Sequence, residues 1–254
     1  MAIKAIMPDK EWYKDWFSSP YYDLLYQNRD TDEAWQFIKR LTEQLHAKKG
    51  DKILDVACGK GRHSKALADE GFDVTGIDLA TRLIEEARQM ENDHLHFYQH
   101  DMRLPFRINY FDFAFNLFTN FGYFRTEREH DSAMRTITQS LNSKGILVID
   151  YLNTHYAEDN LVKAEIKKIG PVKFHISRWH NDTHFFKQIQ IEDNGNLLKH
   201  LFTEKVAKFS PGDFTDMLAY QGMQVEDIFG DYQLGRYDIR KSPRMVVVAK
   251  KSIR

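Results

Sequence analysis

The sequence predicts an α/β fold: a mostly parallel sheet with helices on both faces, and an antiparallel sheet inserted late in the chain. Three observations predict it. From Gly50 to Lys144, short apolar runs alternate with helical patterns, and strands that alternate with helices form parallel sheets covered on both sides. Within that region, the run from Lys52 to Ser64 is apolar until it stops at an acid and two spaced glycines, and a helical pattern follows. Such a strand, tight loop and helix set backbone N–H groups and a helix N-terminus beside a nucleotide-like ligand. Between Asn153 and Phe209 the pattern changes to apolar and polar alternation around a hairpin turn, which belongs to antiparallel strands.

Composition narrows the class. At 254 residues the chain suits one domain with an elaboration. Its 36 lysines and arginines nearly balance 37 aspartates and glutamates, and no basic block is long enough to track a phosphate backbone, so nucleic acid is a disfavoured partner. The single cysteine, Cys58, excludes an intrachain disulfide and reads as a small residue fitting a crowded turn. Eleven scattered histidines, with no cysteine pair and no His-Glu-x-x-His, give no metal site. Met1 to Trp12 lacks the apolar core of a signal peptide, and no stretch is apolar enough to span a bilayer. A cytoplasmic, membrane-free protein is expected.

In chain order, residues 1–50 form a helical cover rich in aromatics: Trp12, Tyr13, Trp16, Phe17, Tyr21, Tyr22 and Tyr26. Asp30 and Glu33 make a capping-box-like start, and Ala34, Trp35, Phe37, Ile38, Leu41 and Leu45 recur at helical spacing. After the first strand and its loop, a helix from His63 to Glu70 ends at Gly71, and a second strand runs from Phe72 to Asp78. The spacing from Gly59 to Asp78 is close to the ~20 residues that separate such a loop from an acid bonding ribose hydroxyls. A third strand (Leu95 to Gln99) leads to Asp101, a fourth runs from Phe111 to Phe118, a helix from Glu127 to Leu141, and a fifth strand from Gly145 to Asp150. Their carboxyl ends carry Asp55, Asp78, Asp101 and Asn116, with Tyr151 and Asn153 just past the fifth.

Residues 154–208 are the inserted sheet, with Val172, Phe174 and Ile176 alternating with Lys173, His175 and Ser177, and Asp193 to Asn196 as the hairpin turn. The sheet is expected to roof the pocket and is open to homodimerisation through the same strands. Residues 209–254 return to the main fold: Ser210-Pro211 starts a helix that Gly222 stops, and Val225 to Phe229 and Met245 to Ala249 are the sixth and seventh strands.

Asp55, Gly59 and Gly61 resemble the glycine loop of class I S-adenosylmethionine-dependent methyltransferases, acidic-x-Gly-x-Gly-x-Gly, with Ala57 replacing its first glycine. The resemblance covers 51–153 and 209–254, and Asp-Val-Ala-Cys-Gly with the later Glu-Gly-Phe-x-Val-Thr is most like small-molecule methyltransferases. It implies a Rossmann-like seven-stranded sheet whose last strand enters antiparallel between the fifth and sixth. It also implies S-adenosyl-L-methionine as cofactor, held by Asp55, Ala57, Cys58, Gly59, Gly61 and Arg62 at the methionine end, Asp78 and Leu79 at the ribose, Asp101 and Met102 at the adenine, and Asn116 near the transferring methyl. Acceptor-pocket candidates are Tyr21, Tyr22, Arg29, Asn116, Asn120, Tyr123 and Tyr151. The run from Asn116 to Phe124 lacks the Asn-Pro-Pro-aromatic motif that holds a flipped base, which favours a small-molecule acceptor. An RNA or protein methyltransferase and a silent cofactor-binding protein stay open, and no motif names a general base.

Overall fold

The computed structural model describes residues 11–27 and 31–252. The capping box expected to involve Asp30, and the candidate Arg29, lie outside the described residues. Two short helices come first, α1 (Trp12–Phe17) and α2 (Pro20–Leu25). Ser19 starts α2, its hydroxyl accepting from the Tyr21 N–H while proline takes the first turn, where its missing donor costs nothing. Then come α3 (Thr31–Gln44), β1 (Lys52–Val56), α4 (Arg62–Asp69), β2 (Asp73–Asp78), α5 (Thr81–Ala87), β3 (Leu95–Gln99), β4 (Phe111–Asn116), α6 (Glu127–Ser140) and β5 (Leu141–Leu152). A short α7 (Thr154–Asp159) opens the insertion, β6 (Ala164–Ile169), β7 (Val172–His180), β8 (His184–Asp193) and β9 (Asn196–Ala207) form it, and α8 (Pro211–Tyr220), β10 (Met223–Phe229) and β11 (Arg244–Lys251) close the chain.

The main sheet has the order β10-β11-β5-β4-β1-β2-β3. β1 to β5 are parallel, and β11 lies antiparallel between β5 and β10, as expected. Alternate residues of each strand serve opposite faces. Leu54, Phe111, Leu147 and Met245 pack with Met134, Ile137, Phe214 and Leu218 of α6 and α8. Ile53, Val74, Phe97 and Val148 pack with Phe37, Leu41, Leu67 and Ile84 of α3, α4 and α5. The chain lays β1, β2 and β3 down in one direction, then returns to place β4 on the other side of β1. Strand order therefore reverses between β1 and β4, and ligands of such sheets bind beyond the carboxyl ends there.

The inserted sheet is β6-β7-β8-β9. Its tight turn sits at Asn194 and Gly195, with φ of 49° and 79°, the left-handed pair that two-residue hairpins require. Phe174, Ile176, Ile189 and Ile191 face the core shared with Trp16. β6 was not foreseen, because its residues are mostly exposed and show no core-facing alternation; Lys167 and Lys168 sit on this edge strand, where charge blunts further pairing.

Tyr151, expected at the acceptor pocket, is elsewhere. β5 alternates, so Tyr151 turns toward α8: it is fully buried, stacks edge-on with Phe214 and donates to the Ala207 carbonyl at 2.6 Å. The Ala207 N–H in turn donates to the Gly122 carbonyl, so one phenol ties main sheet, insertion and the loop after β4. Gly122 has φ +88°, and a Cβ there would be pressed into the Tyr151 hydroxyl. Tyr151→Phe should lower unfolding free energy by about 1 to 2 kcal/mol. Gly122→Ala should lower it by more, and the double variant should recover only the steric part, the backbone strain of roughly 1 to 2 kcal/mol remaining. Urea unfolding of the three variants checks this.

Candidate functional site

A cavity of about 670 Å³ lies at the carboxyl ends of β1 to β4, within the roughly 300 to 1,000 Å³ of small-molecule sites. Its floor is the loop from Ala57 to Gly61. Ala57, Gly59 and Gly61 all have positive φ (62°, 57° and 73°), so Ala57 adopts the conformation that glycine takes at no cost, at a strain of roughly 1 to 2 kcal/mol. Asp78 holds this loop. Its Oδ2 accepts from the Gly59 N–H at 2.9 Å and its Oδ1 from the Ala80 N–H at 2.8 Å. Burial raises its carboxyl while those N–H groups pull the other way.

The two glycines do different work. A Cβ on Gly59 meets nothing within 4 Å, because it would point into open space at the loop; one on Gly61 would collide with the Phe97 ring. Gly61 therefore packs helix α4 against β3, and only Gly59 forms part of the cavity wall. Asp55 also lies beneath the loop, buried and accepting from Ser64 Oγ at 2.6 Å. Burial pushes its carboxyl up to about 6, Ser64 offsetting part of this and the nearby Asp78 adding to it. Cys58 is packing: its thiol is raised well above the ordinary value, chiefly by burial.

At the far end, Asp101 and Met102 line the cavity with His100. Burial opposes the Asp101 charge, but the Arg103 guanidinium, bonded to both carboxylate oxygens, outweighs it and holds the carboxyl below its usual range. Above, the walls are aromatic: Tyr13, Phe17, Tyr22 and Tyr26 from the N-terminal segment, and Tyr123 and Phe124 from the loop after β4. Burial raises the Tyr13 phenol to about 12, so it remains protonated. The helical cover is clasped to the loop by Asp23, which pairs with Lys60 at 3.1 Å and Arg82 at 2.9 Å.

Of the sequence candidates, the cavity brings together Tyr22, Ala57, Cys58, Gly59, Arg62, Asp78, Leu79, Asp101, Met102, Asn120 and Tyr123. Asn116 is fully buried behind the wall, donating to the Val56 carbonyl at 3.2 Å, and its Oδ1 has no partner. Tyr21 turns to the insertion and donates to Asp193 at 3.0 Å. The inserted sheet, expected as the roof, supplies none of the lining among the described residues; α1 and α2 do, and the sheet backs them, with Trp16 Nε1 donating to Glu204 at 2.7 Å. Sequence reasoning missed Asp23, Lys60, Leu83 and His100. The dense aromatics at 12–26 are the sequence signal for the lid.

These features fit a nucleoside carrying an amino-acid tail: a positive-φ loop open at Gly59, an acid at the end of β2 with lone pairs to spare, and a polar and an aromatic end. The methyltransferase-domain family matches residues 47–190, more than half of the chain, and the chain belongs to it. It is an S-adenosylmethionine-dependent methyltransferase. A crystal structure of an S-adenosylmethionine-dependent methyltransferase from Clostridium acetobutylicum ATCC 824 superposes with a TM-score of 0.76 at 15% identity, over 91% of this chain and 96% of that one. The sugar N-methyltransferase KedS8 of Streptoalloteichus sp ATCC 53650 gives 0.71 at 19% identity, over 99% and 98%. The dTDP-3-amino-3,4,6-trideoxy-alpha-D-glucopyranose N,N-dimethyltransferase of Streptomyces venezuelae is 24% identical over 219 residues, 82% of this chain and 91% of that one.

Two outcomes test this site. Gly59→Ala and Gly61→Ala share the positive-φ strain, so Gly61→Ala should be less stable than Gly59→Ala by about 1 to 3 kcal/mol because it alone overpacks Phe97. Calorimetry with S-adenosylhomocysteine should show the affinity loss concentrated in Gly59→Ala. The second concerns Asp55, whose folded pKa of about 6 lies above the unfolded value of about 3.9. The native state keeps this proton over an interval in which the unfolded state has lost it, so stability falls as pH rises from about 4 to 6. Relative to Asp55→Asn, the wild type should lose on the order of 3 kcal/mol across that window and nothing further above it, measured by denaturant unfolding at each pH.

Proposed function

We propose that the enzyme transfers the methyl group in line to a small-molecule acceptor, with an amine on a sugar nucleotide as the leading candidate. The observation that carries this is the aromatic ceiling: Tyr13, Phe17, Tyr22 and Tyr123 face the cavity from helices and a loop that cover it, leaving room for a small acceptor. The Streptomyces venezuelae N,N-dimethyltransferase and the Streptoalloteichus sugar N-methyltransferase support the amino-sugar class. When bound, the cofactor supplies an already activated methyl on a sulfonium, so the protein's work is alignment and exclusion of water. Asp78 is assigned to the ribose hydroxyls, Asp101 and Met102 to the adenine edge. Arg62, which lines the cavity without an ion-pair partner among the described residues, is assigned to a carboxylate. Asn120 and Tyr123 belong to the acceptor side.

On the insertion, Ile166 and Leu197 are 65% and 62% exposed and, by strand register, lie on the same outer face as His175 and Gln190. This face supports a homodimer, and sedimentation equilibrium of Leu197→Glu, expected to be monomeric, tests it. No described helix is long and apolar enough to cross a membrane.

The deciding experiment presents methyl-labelled S-adenosylmethionine with dTDP-3-amino-3,4,6-trideoxyglucose, a panel of small amines and hydroxyl compounds, total RNA and protein. Label should enter a small molecule; label only in RNA or protein would overturn the reading. Asp78→Ala should raise the dissociation constant for the cofactor roughly thirty-fold to a thousand-fold, about 2 to 4 kcal/mol for its lost charge-assisted bonds.

A further inference from the structure

The loop after β4 holds two consecutive non-glycine residues in left-handed backbone, Phe118 at φ +62° and Thr119 at +59°. For an aromatic and a β-branched residue this is a strained state that persists only where surroundings over-determine it. Those surroundings are one aspartate and the groups bonded to it. Asp150, fully buried near the end of β5, accepts from the Phe118 N–H with Oδ2 at 2.8 Å, and its backbone carbonyl accepts from the Thr119 N–H at 3.0 Å. The same Oδ2 accepts from the Tyr232 hydroxyl at 3.0 Å. Oδ1 accepts from Arg244 Nε at 2.8 Å, and Arg244 also donates to Thr119 Oγ1 at 2.8 Å. None of Asp150, Arg244 or Tyr232 lines the cavity, but Phe118 does, stacked on His63 with ring centroids 4.7 Å apart. Two residues on, Asn120 donates to the carbonyls of Ala57 and Leu117, so the strained loop is joined to the glycine loop itself.

We propose that Asp150, braced by Arg244 and Tyr232, is a positioning residue for methyl transfer: it fixes Phe118 and Asn120, and through them the acceptor side of the cavity, against the glycine loop. A carboxylate is needed because every group converging on it is a donor, Phe118 N–H, Tyr232 O–H and the guanidinium. An asparagine of the same size must turn an N–H₂ toward one of them. A displacement of the loop by about an ångström would be enough to cost up to a hundred-fold in rate while leaving the cofactor's own contacts at Asp78 and Asp101 in place. The inference rests on reading this cavity as the acceptor's place, so its test includes a readout that needs no acceptor.

The test compares wild type, Asp150→Asn, Tyr232→Phe, and Asp150→Asn combined with Thr119→Asn. Asparagine at 119 tolerates left-handed backbone and keeps an oxygen for Arg244. The first readout is the chemical shift of the His63 ring protons, which the stacked Phe118 ring displaces. It should move toward the free value in Asp150→Asn, move partway in Tyr232→Phe, and return in the double variant. In parallel, turnover of an amino-sugar nucleotide should fall ~10-fold or more in Asp150→Asn, with the dissociation constant for S-adenosylhomocysteine within about two-fold, and recover in the double variant. Should Asp150→Asn not fold, Tyr232→Phe carries the test alone, with a smaller change of the same sign. If the folded variants lose melting temperature but keep the wild-type His63 shift, Asp150 is only a buried ion-pair partner and the proposal is overturned. If the wild type methylates no amino sugar, the acceptor assignment fails, and the His63 shifts still decide the role of Asp150.

Discussion

Two backbone N–H groups, those of Gly59 and Ala80, converge on the carboxylate of Asp78, and the rest of the site depends on that meeting. A loop with three positive-φ residues in five has little to hold its shape from within, since left-handed residues form no repeating hydrogen-bond ladder. Asp78 supplies the external anchor from the neighbouring strand, and the Cys58 N–H donation to the Ile77 carbonyl supplies a second. Asn120 ties the third side through the Ala57 carbonyl. The loop is thus suspended between β2 and the segment after β4, on either side of the place where strand order reverses.

Four carboxylates end strands at this edge, and each is stabilised differently. Asp55 has one hydroxyl and full burial, and its charge is correspondingly disfavoured. Asp78 has two backbone donors, which leave lone pairs for a ligand. Asp101 has a guanidinium that is itself shared with Glu129. Asp150 has a guanidinium and a phenol in a fully buried setting, where removing one partner leaves the other's charge stranded. Their environments sort them by work: Asp78 and Asp150 hold backbone N–H groups, Asp55 bonds the Ser64 side chain beneath the loop, and only Asp78 and Asp101 reach the cavity wall.

Most strands and the hairpin at Asn194-Gly195 were legible because their signals are local: apolar runs, period-two alternation, and turn residues whose φ preferences are intrinsic; the place of the last strand came from the resemblance to methyltransferases. The floor of the cavity was legible in part, since the loop and strand-end residues that the methyltransferase resemblance named there, Ala57, Gly59, Asp78, Leu79, Asp101 and Met102, do line it. Side-chain direction was not. Asp150 and Tyr151 are neighbours in sequence on opposite faces of β5, and pattern alone did not show that the tyrosine faces α8. Gly59 and Gly61 look equivalent in a motif, yet only the packing of Phe97 against α4 shows that the second glycine answers to a side chain. β6 escaped because an edge strand with little buried surface carries little hydrophobic pattern.

The upper walls of the cavity are assembled from distant segments, so only some of them, Tyr22, Asn120 and Tyr123, were named as pocket residues from the sequence, while Tyr13, Phe17 and Tyr26 were not. The lid aromatics at 12–26 cannot be held by α1 and α2 alone, because isolated helices this short do not form stably in water. They are held by what they dock on. Asp23 reaches Lys60 in the glycine loop and Arg82 in α5, and Trp16 packs at a tilt against Phe202 and donates to Glu204 in β9. The insertion therefore acts on the cavity at one remove, as the surface against which the lid is built. The floor and the walls of the cavity are therefore built by separate parts of the chain, the floor by the loop that Asp78 holds and the upper walls by the lid and the loop after β4, and the pair of Asp23 with Lys60 is where floor and lid meet.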